Sequence, residues 1–504
     1  MENWTLLISF VVLLTGVFVF KKLWLGTLAA IIIVLTFKIS IHSGYNAVYI
    51  PLTSGFVISL ELTLLLFGAY LFHTTLSSNN HFASMIEKTS AFSSKLSSVI
   101  ILCLFIGSFM EGIAGFGIPA MLVAPLMLAI GFKPLTSIVL PLAANTTAVT
   151  FGALGTPLKI GLGITSSDTT VLYTVLLNIL PAIMLPFILA FLYSKTEQIK
   201  VDWIREWKML FGAGFCFLIP YSLTGLFSIE FPSVVAGVFG LITFVFLFIP
   251  KKENPPFLLW LNNFYPYFLF VILLLIAKLY LDGYYWKINE TLKPLSLYQP
   301  GIIFILSSIL YLLVTKKKNF VVQLFNQSKA TVLKISKSIA TIILLVCFAQ
   351  LIQSDITLLA HSYYSELSHI YQLFITPVMG VIGSFITGSA TMNNLLLSGG
   401  VKSSVSSGIY MPLLLALLHI GGAVGNAISF QNILMVNAVI NCSVTEAKVI
   451  RYNILVVGFY LLMLMFSALI IWFYHEFNGD LTIQGWTPVN SISYKLEFQP
   501  KRPS

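Results

Sequence analysis

Charge is what this sequence has least of. Only 9% of its 504 residues are Asp, Glu, Lys or Arg, against roughly a quarter in an ordinary soluble domain, whose surface has to be hydrated. That shortage excludes a water-soluble globule of this length. Acid is scarcer than base, 18 residues against 28, which leaves a net charge of +10. The lysines sit in short loops rather than along one face, so no nucleic-acid partner is expected. Cysteine is nearly absent as well. Cys103, Cys216, Cys347 and Cys442 all lie in apolar stretches without metal-ligand spacing, where a cysteine acts as a small buried hydrophobe. No metal and no cofactor are expected. Also missing are His-Glu-x-x-His, Gly-x-Ser-x-Gly and paired acids at hydrolytic spacing, which argues against a membrane-embedded enzyme. The first apolar run has no charged segment ahead of it and no small-residue cleavage site behind it. It reads as a retained helix rather than a signal peptide.

What the sequence does have is apolar length. Hydrophobic residues make up 58% of the chain, and mean hydropathy is +0.93. A bilayer is crossed by about 20 helical residues. The clearest runs are Leu6–Phe20, Gly55–Phe72, Val171–Tyr193, Val234–Ile249, Phe264–Leu281, Ile302–Val314, Ala340–Ile352 and Ile454–Phe473. With shorter runs broken by Gly and Pro, the expectation is an all-α membrane protein of about 12–14 transmembrane helices, since unpaired backbone in lipid is too costly for any other open element. Basic loops face the cytoplasm. That rule puts Lys21–Lys22, Lys195–Lys208, Lys251–Lys252 and Lys316–Lys337 inside. Ser222–Phe231 and Gln353–Ile370, which lack Lys and Arg, fall outside, and alternation adds Asp282–Tyr298. The N-terminus and the polar tail from His475 then also lie outside.

An internal repeat organises the middle of the chain. Ile106-Gly-Ser-Phe-Met-Glu-Gly-Ile-Ala114 matches Ile382-Gly-Ser-Phe-Ile-Thr-Gly-Ser-Ala390 at six of nine positions. At a similar distance after each comes a second polar, glycine-flanked segment: Ala144–Gly152 in the first half and Gly421–Asn432 in the second. The first unit follows Lys88 and Lys95, and so enters from the inside. The second follows the Lys-free loop ending near Ile370, and so enters from the outside. Two inverted-topology repeats, with broken or re-entrant helices at the midplane, characterise many secondary transporters. The expected divisions are N-terminal helices over 1–97, a first repeat core over 98–194, linking and peripheral helices over 195–369, a second repeat core over 370–474, and a tail over 475–504.

The chemistry is expected where polar residues interrupt apolar runs. A carboxyl at bilayer depth costs about 2.5–3.5 kcal/mol even on lenient insertion scales, so such residues face a cavity or a partner. Glu111, among Gly107, Gly112, Gly115 and Gly117, is the foremost candidate to bind and release a proton; otherwise it is an inert acid at a helix end. Glu61 is the other mid-span acid, equally open to proton coupling or structural pairing. His419, beside a glycine pair, either relays protons or is a satisfied core residue. Neutral donors gather in the two polar segments and near Gly388. Helix N-termini, unwound backbone and Asn or Thr side chains can together hold a carboxylate without a full counter-charge. The substrate set expected on this basis is Gly112, Asn145, Thr146, Thr147, Ser389, Thr391, Asn393, Asn394, Asn426, Ser429, Gln431 and Asn432. For any one of them interhelical hydrogen bonding is the competing role.

These motifs together resemble those of the L-lactate permease family. Phe109–Pro119 is similar to its Glu-Gly-Ala-Ala-Gly-Phe-Gly signature. Gly131–Leu135, Ala144–Thr147, Phe151–Pro157, Gly388–Asn394 and Gly421–Asn432 follow in the family's order, from about Gly107 to Arg451. The resemblance implies uptake of lactate or a related small 2-hydroxy monocarboxylate with protons, without a cofactor, across a bacterial inner membrane. The partners are then a small organic anion, a coupling cation and the lipid bilayer. Two positions depart from the pattern. Family members carry an acid where this chain has Ala390, and a Lys where it has Asn426. The two losses are opposite in sign, and removing both partners of an ion pair is far cheaper than removing one. They leave open a sodium-coupled carrier of another small organic anion.

Overall fold

In the computed structural model, residues 2–18, 23–40, 46–78, 94–115, 117–165, 168–250, 257–281, 284–286, 295–315, 319–404, 410–440 and 444–478 are described. The loop lysines Lys21, Lys22, Lys88, Lys251, Lys252 and Lys316, together with Cys442 and the tail from Gly479, lie outside them.

The chain opens with α1 (Glu2–Phe18), α2 (Leu23–Ser40) and α3 (Asn46–Ser78). The first unit begins with α4 (Lys95–Ile113), which carries a π-turn over Ile100–Ile106. It continues through α5 (Ile118–Ala129) and α6 (Pro134–Val149) into a 3₁₀ turn at Ala153–Gly155 and a second π-turn at Pro157–Leu162. Then come α7 (Thr169–Glu197), α8 (Trp203–Gly225), α9 (Pro232–Phe248) and α10 (Phe257–Leu281). A two-residue antiparallel pair, β1 (Tyr285–Trp286) with β2 (Leu295–Ser296), precedes α11 (Pro300–Val314) and the long α12 (Phe320–Tyr364). The second unit is α13 (His369–Thr387), α14 (Ala390–Ser404), α15 (Tyr410–Gly425), a 3₁₀ turn at Asn426–Ile428, and α16 (Phe430–Ile440), with α17 (Glu446–Asn478) last.

Among the described residues nine helical stretches are long and apolar enough to span a membrane, and four shorter helices are apolar. The protein is therefore an all-helical, multi-pass membrane protein. Prolines sit inside α3, α5, α6 and α13, which neighbouring helices make tolerable at bilayer depth. At 12 residues, α5 reaches only about 18 Å along its axis, well short of a roughly 30 Å hydrocarbon core.

Burial separates the helices into two classes. The most apolar windows of Lys95–Ile113, Pro134–Gly155 and Tyr410–Asn437 are 100%, 94% and 89% buried, whereas those of α2 and α17 are 33% buried. These three stretches, which carry Glu111, Asn145 and Asn426, are thus sheathed by other helices, while α13 is 50% buried. On α17, Leu462 and Phe466 point outward, as lipid-facing side chains do. The N-terminal helices do not stand apart, because α12 packs against α2 and α3 on one side and α14 on the other. Both units follow the same order: helix, glycine break, helix, helix, polar break, helix.

Candidate functional site

In the first unit, α4 ends at Ala114, and the chain turns through Gly115 (φ 60°) and Gly117 (φ 77°) into α5. These left-handed conformations are where glycine is required. After α6 a second break runs through Ala153 (φ 45°) and Leu154 (φ 57°). Non-glycine residues held there store about 1–3 kcal/mol each, strain that clusters at functional sites. The two breaks touch, since a Cβ on Gly115 would come within 2.6 Å of the Ala153 methyl.

Glu111 lies buried beside this junction, 4% exposed. Asn145 Nδ2 donates to its Oε2 at 2.7 Å. Gly152 leaves room for the carboxyl, because any Cβ there would overlap Glu111 Oε1. Among the described residues no Lys, Arg or His pairs with Glu111. The ion pairs instead join Lys38 to Asp355, and Lys159 and Lys278 to Glu230. A full negative charge with one amide donor and no cation is expensive to bury. Among the described residues Asn145 Oδ1 and Ser108 Oγ have no hydrogen-bond partner.

The second unit repeats the plan with neutral groups. Its first break is Gly388 (φ 72°), and a Cβ there would come within 2.8 Å of Gln431 Oε1, just after the second break. Ser384 Oγ donates to Asn426 Oδ1 at 2.7 Å. Asn432 Nδ2 donates to the Asn426 carbonyl at 3.3 Å. Ser389 Oγ accepts from Met392 N–H at 3.4 Å and Ser429 Oγ from Asn432 N–H at 3.5 Å, capping α14 and α16. A small open cleft lies against these two helix starts. It is lined by Thr387, Gly388, Ser389, Gln431 and Asn432, and closed by Leu66 and Tyr70 of α3 and by Thr341 and Leu345 of α12.

The remaining candidates are placed differently. Asn394 Nδ2 donates to the Pro157 carbonyl at 3.0 Å and lies 2.9 Å from His419 Nδ1, and His419 Nε2 is 2.8 Å from the Thr150 carbonyl. A carbonyl only accepts, so Nε2 carries the ring proton and Nδ1 accepts from Asn394. His419 is thus a neutral bridge between the units with both ring nitrogens satisfied. Asn393 Nδ2 donates to Asn394 Oδ1 at 3.1 Å. The Thr391 carbonyl lies against Gly161. Gly112 is where α4 and α9 meet, its Cα against Val234 N. Thr146 returns its hydroxyl to the Ala143 carbonyl at 3.0 Å. Glu61 accepts from Gln299 Nε2 at 3.3 Å, a partner outside either unit.

Two clusters bring in residues that had no clear signal in the sequence, the first of them around Thr147 of the expected substrate set. Thr147 Oγ1 meets Tyr460 Oη at 3.0 Å, Tyr460 donates to Asn178 Oδ1 at 2.5 Å, and Thr150 Oγ1 meets Tyr221 Oη at 2.5 Å. These buried groups anchor the strained end of α6, yet Asn178, Tyr221 and Tyr460 are each a single polar side chain on an apolar run. The second cluster is Glu230, 4% exposed, which pairs closely with Lys278 and lies 3.9 Å from Lys159 in the first unit's π-turn. Among the described residues no group of His, Cys, Asp and Glu could hold a metal ion.

Comparison with known proteins gives a consistent result. The family described as L-lactate permease matches residues 5–254 and 258–474. A relative from Haemophilus influenzae is 26% identical over 86% of this chain and 89% of its own length. The L-lactate permease of Bacillus subtilis is 24% identical over 70% of this chain and 74% of its own. A glycolate permease of Escherichia coli is 28% identical over 31% of this chain and 28% of its own. Among solved structures, the YdaH transporter of Alcanivorax borkumensis aligns over 86% of this chain and 90% of its own, at 12% identity and a TM-score of 0.42.

Proposed function

The chain belongs to the L-lactate permease family, and from that premise we propose that it takes up L-lactate or a related small 2-hydroxy monocarboxylate in symport with protons across a bacterial inner membrane. The observation that supports the proton role is Glu111: buried, bonded among the described residues to the Asn145 amide and to no cation, at the contact of two helix breaks. One proton carried with one monocarboxylate makes the step electroneutral. In this reading the two units are inverted repeats that alternate access to a site between them. Substrate carboxylate binds at the helix starts of the second unit while Glu111 loads and unloads the proton. Asn393, Asn394 and His419 keep the units in register, so His419 acts by position rather than by titration.

The test is accumulation of labelled lactate in right-side-out vesicles when the outside is made acidic. Uptake indifferent to the pH gradient removes the proton role. Accumulation driven by a sodium gradient at equal pH on both sides establishes the sodium-coupled alternative instead. Glu111→Gln with full gradient-driven uptake removes the role from this residue.

A further inference from the structure

A helix that ends inside a membrane protein leaves its last carbonyls without partners of its own, and lipid offers none. At the end of α6 side chains supply them. Ser233 Oγ of α9 donates to the Ala148 carbonyl at 2.7 Å, and His419 Nε2 of α15 donates to the Thr150 carbonyl at 2.8 Å. The Thr147 carbonyl accepts from Thr150 Oγ1 at 2.7 Å. That last bond fixes the direction of the hydrogen bonds joining Thr147, Thr150, Asn178, Tyr221 and Tyr460, all of them fully buried.

A hydroxyl has one proton to donate, and a carbonyl oxygen only accepts. Thr150 gives its proton to the Thr147 carbonyl, so Tyr221 donates to Thr150 Oγ1 at 2.5 Å. Asn178 Nδ2 donates to Tyr221 Oη at 3.3 Å and, with its other hydrogen, to the Thr174 carbonyl at 2.9 Å. Asn178 Oδ1 accepts from Tyr460 at 2.5 Å, which leaves Tyr460 to accept from Thr147 Oγ1 at 3.0 Å. The chain of bonds therefore runs from the Thr147 hydroxyl through Tyr460, Asn178, Tyr221 and Thr150, and closes on the Thr147 carbonyl. Every hydroxyl proton and side-chain amide hydrogen in it is placed. Such a circuit has no spare donor for a ligand, and its bonds strengthen one another in a low dielectric. It clamps the end of α6 to α7, α8 and α17.

The clamped turn carries the two groups that meet Glu111. Asn145 stands two residues before Thr147 and so faces the opposite side of the helix, where Nδ2 donates to Glu111 Oε2. Gly152 stands two residues after Thr150 and packs against Glu111 Oε1. The strained Ala153 and Leu154 follow at once, so an end of α6 free to relax would carry both contacts away. Among the elements packed on this part of α4, α5, α6 and α9 contain no Asp, Glu, Lys, Arg or His. The other ionisable groups of α4 are Lys95 and Cys103. Lys159 and Glu230, beyond these elements, pair with each other, and His419 is a neutral bridge. Position, rather than a neighbouring charge, sets the surroundings of the Glu111 carboxyl.

Resting on the reading of Glu111 as the proton carrier, we propose that Tyr221 and Tyr460 are positioning residues: through the closed circuit they hold Asn145 and Gly152 on the Glu111 carboxyl, and thereby govern its exchange of the proton. Neither hydroxyl bonds to the carboxyl itself.

The test follows that carboxyl directly, in the purified full chain in detergent. Its carbonyl stretch is isolated as the infrared difference between each protein and the same protein carrying Glu111→Gln, and is titrated against pH. This reads ionisation and not transport, so proteoliposomes that carry lactate without protons would sink the symport reading and leave this result standing. Tyr221→Phe and Tyr460→Phe are expected to move the titration midpoint by about half a pH unit or more, which is roughly threefold in proton affinity. Tyr364→Phe is the control, because it removes a buried hydroxyl bonded to Thr376 in the second unit, and its midpoint is expected to match the wild type. Thr150→Val breaks the same circuit with little change of shape and stands in for a tyrosine variant that does not fold. Unchanged midpoints in the circuit variants overturn the proposal. So does an equal movement in Tyr364→Phe, which would mark a general loosening. A carboxyl that does not titrate at all removes the proposal together with the proton reading it rests on.

Discussion

The two units place an asparagine at corresponding positions and give it different partners. In the first, Asn145 donates to the Glu111 carboxyl; in the second, Asn426 accepts from the Ser384 hydroxyl. The other members of each set are exchanged accordingly. Ser108, which corresponds to Ser384, is buried without a side-chain partner among the described residues, while Thr387, which corresponds to Glu111, returns its hydroxyl to the Gly383 carbonyl at 2.9 Å. One backbone plan thus carries an ionisable group on one side and neutral groups on the other. A carrier that moves a charged substrate with a proton gains from this division. The proton site needs a group that can be neutral or charged, whereas the anion site needs donors that stay fixed.

Glu111→Gln breaks the comparison most sharply by making both units neutral. Proton-driven accumulation is expected to fall to the level of protein-free vesicles, while exchange of labelled for unlabelled lactate continues. Loss of exchange as well would show that Glu111 is needed for more than the proton. Gly152→Ala attacks the same carboxyl by crowding it, at a cost of about 1–3 kcal/mol for overpacking. Uptake should drop, and Glu111→Asp, a shorter side chain, should restore part of it in the double variant. A double variant no better than Gly152→Ala alone would place the damage elsewhere.

Removing the asparagines one at a time measures the difference between the units. Asn145→Ala leaves a buried carboxyl without its donor, worth about 1–3 kcal/mol. Asn426→Ala removes a neutral interhelical bond, worth about 0.6 kcal/mol. Thermal unfolding in detergent should rank them in that order, and equal losses would deny the asymmetry. The smallest effect belongs to His419→Gln. Glutamine can donate to the Thr150 carbonyl and accept from Asn394 as the neutral ring does, so the pH dependence of uptake should be unchanged. A shifted pH profile would return His419 to the proton path.

Much of this was legible in the sequence because burial makes certain residues conspicuous. Glu111, Asn145 and the glycine breaks stand out as polar or flexible positions inside apolar runs, and the structure brings Glu111 and Asn145 into contact. Gly388, Gln431 and Asn432 are gathered likewise. Less legible were bonds between single polar atoms far apart in the chain. Thr147 and Tyr460 are separated by 313 residues, and no local pattern marks a tyrosine whose hydroxyl will find a threonine. Glu230 was hidden for the opposite reason. It sits in a loop, where an acid is unremarked until the fold buries it between two lysines. Gly112 and Thr146 show the limit of reading polar or glycine-rich motifs as whole sites, since each residue's direction is set by the helix face it occupies.

The most direct measurement is proton movement driven by lactate alone. Proteoliposomes loaded with a pH-sensitive dye, at equal pH on both sides and without sodium, receive an inward lactate gradient. The expected result is acidification of the interior by the wild-type protein, and none by Glu111→Gln, although labelled lactate still exchanges in that variant. Acidification of the Glu111→Gln vesicles at the wild-type rate would contradict the assignment of the proton to the first unit.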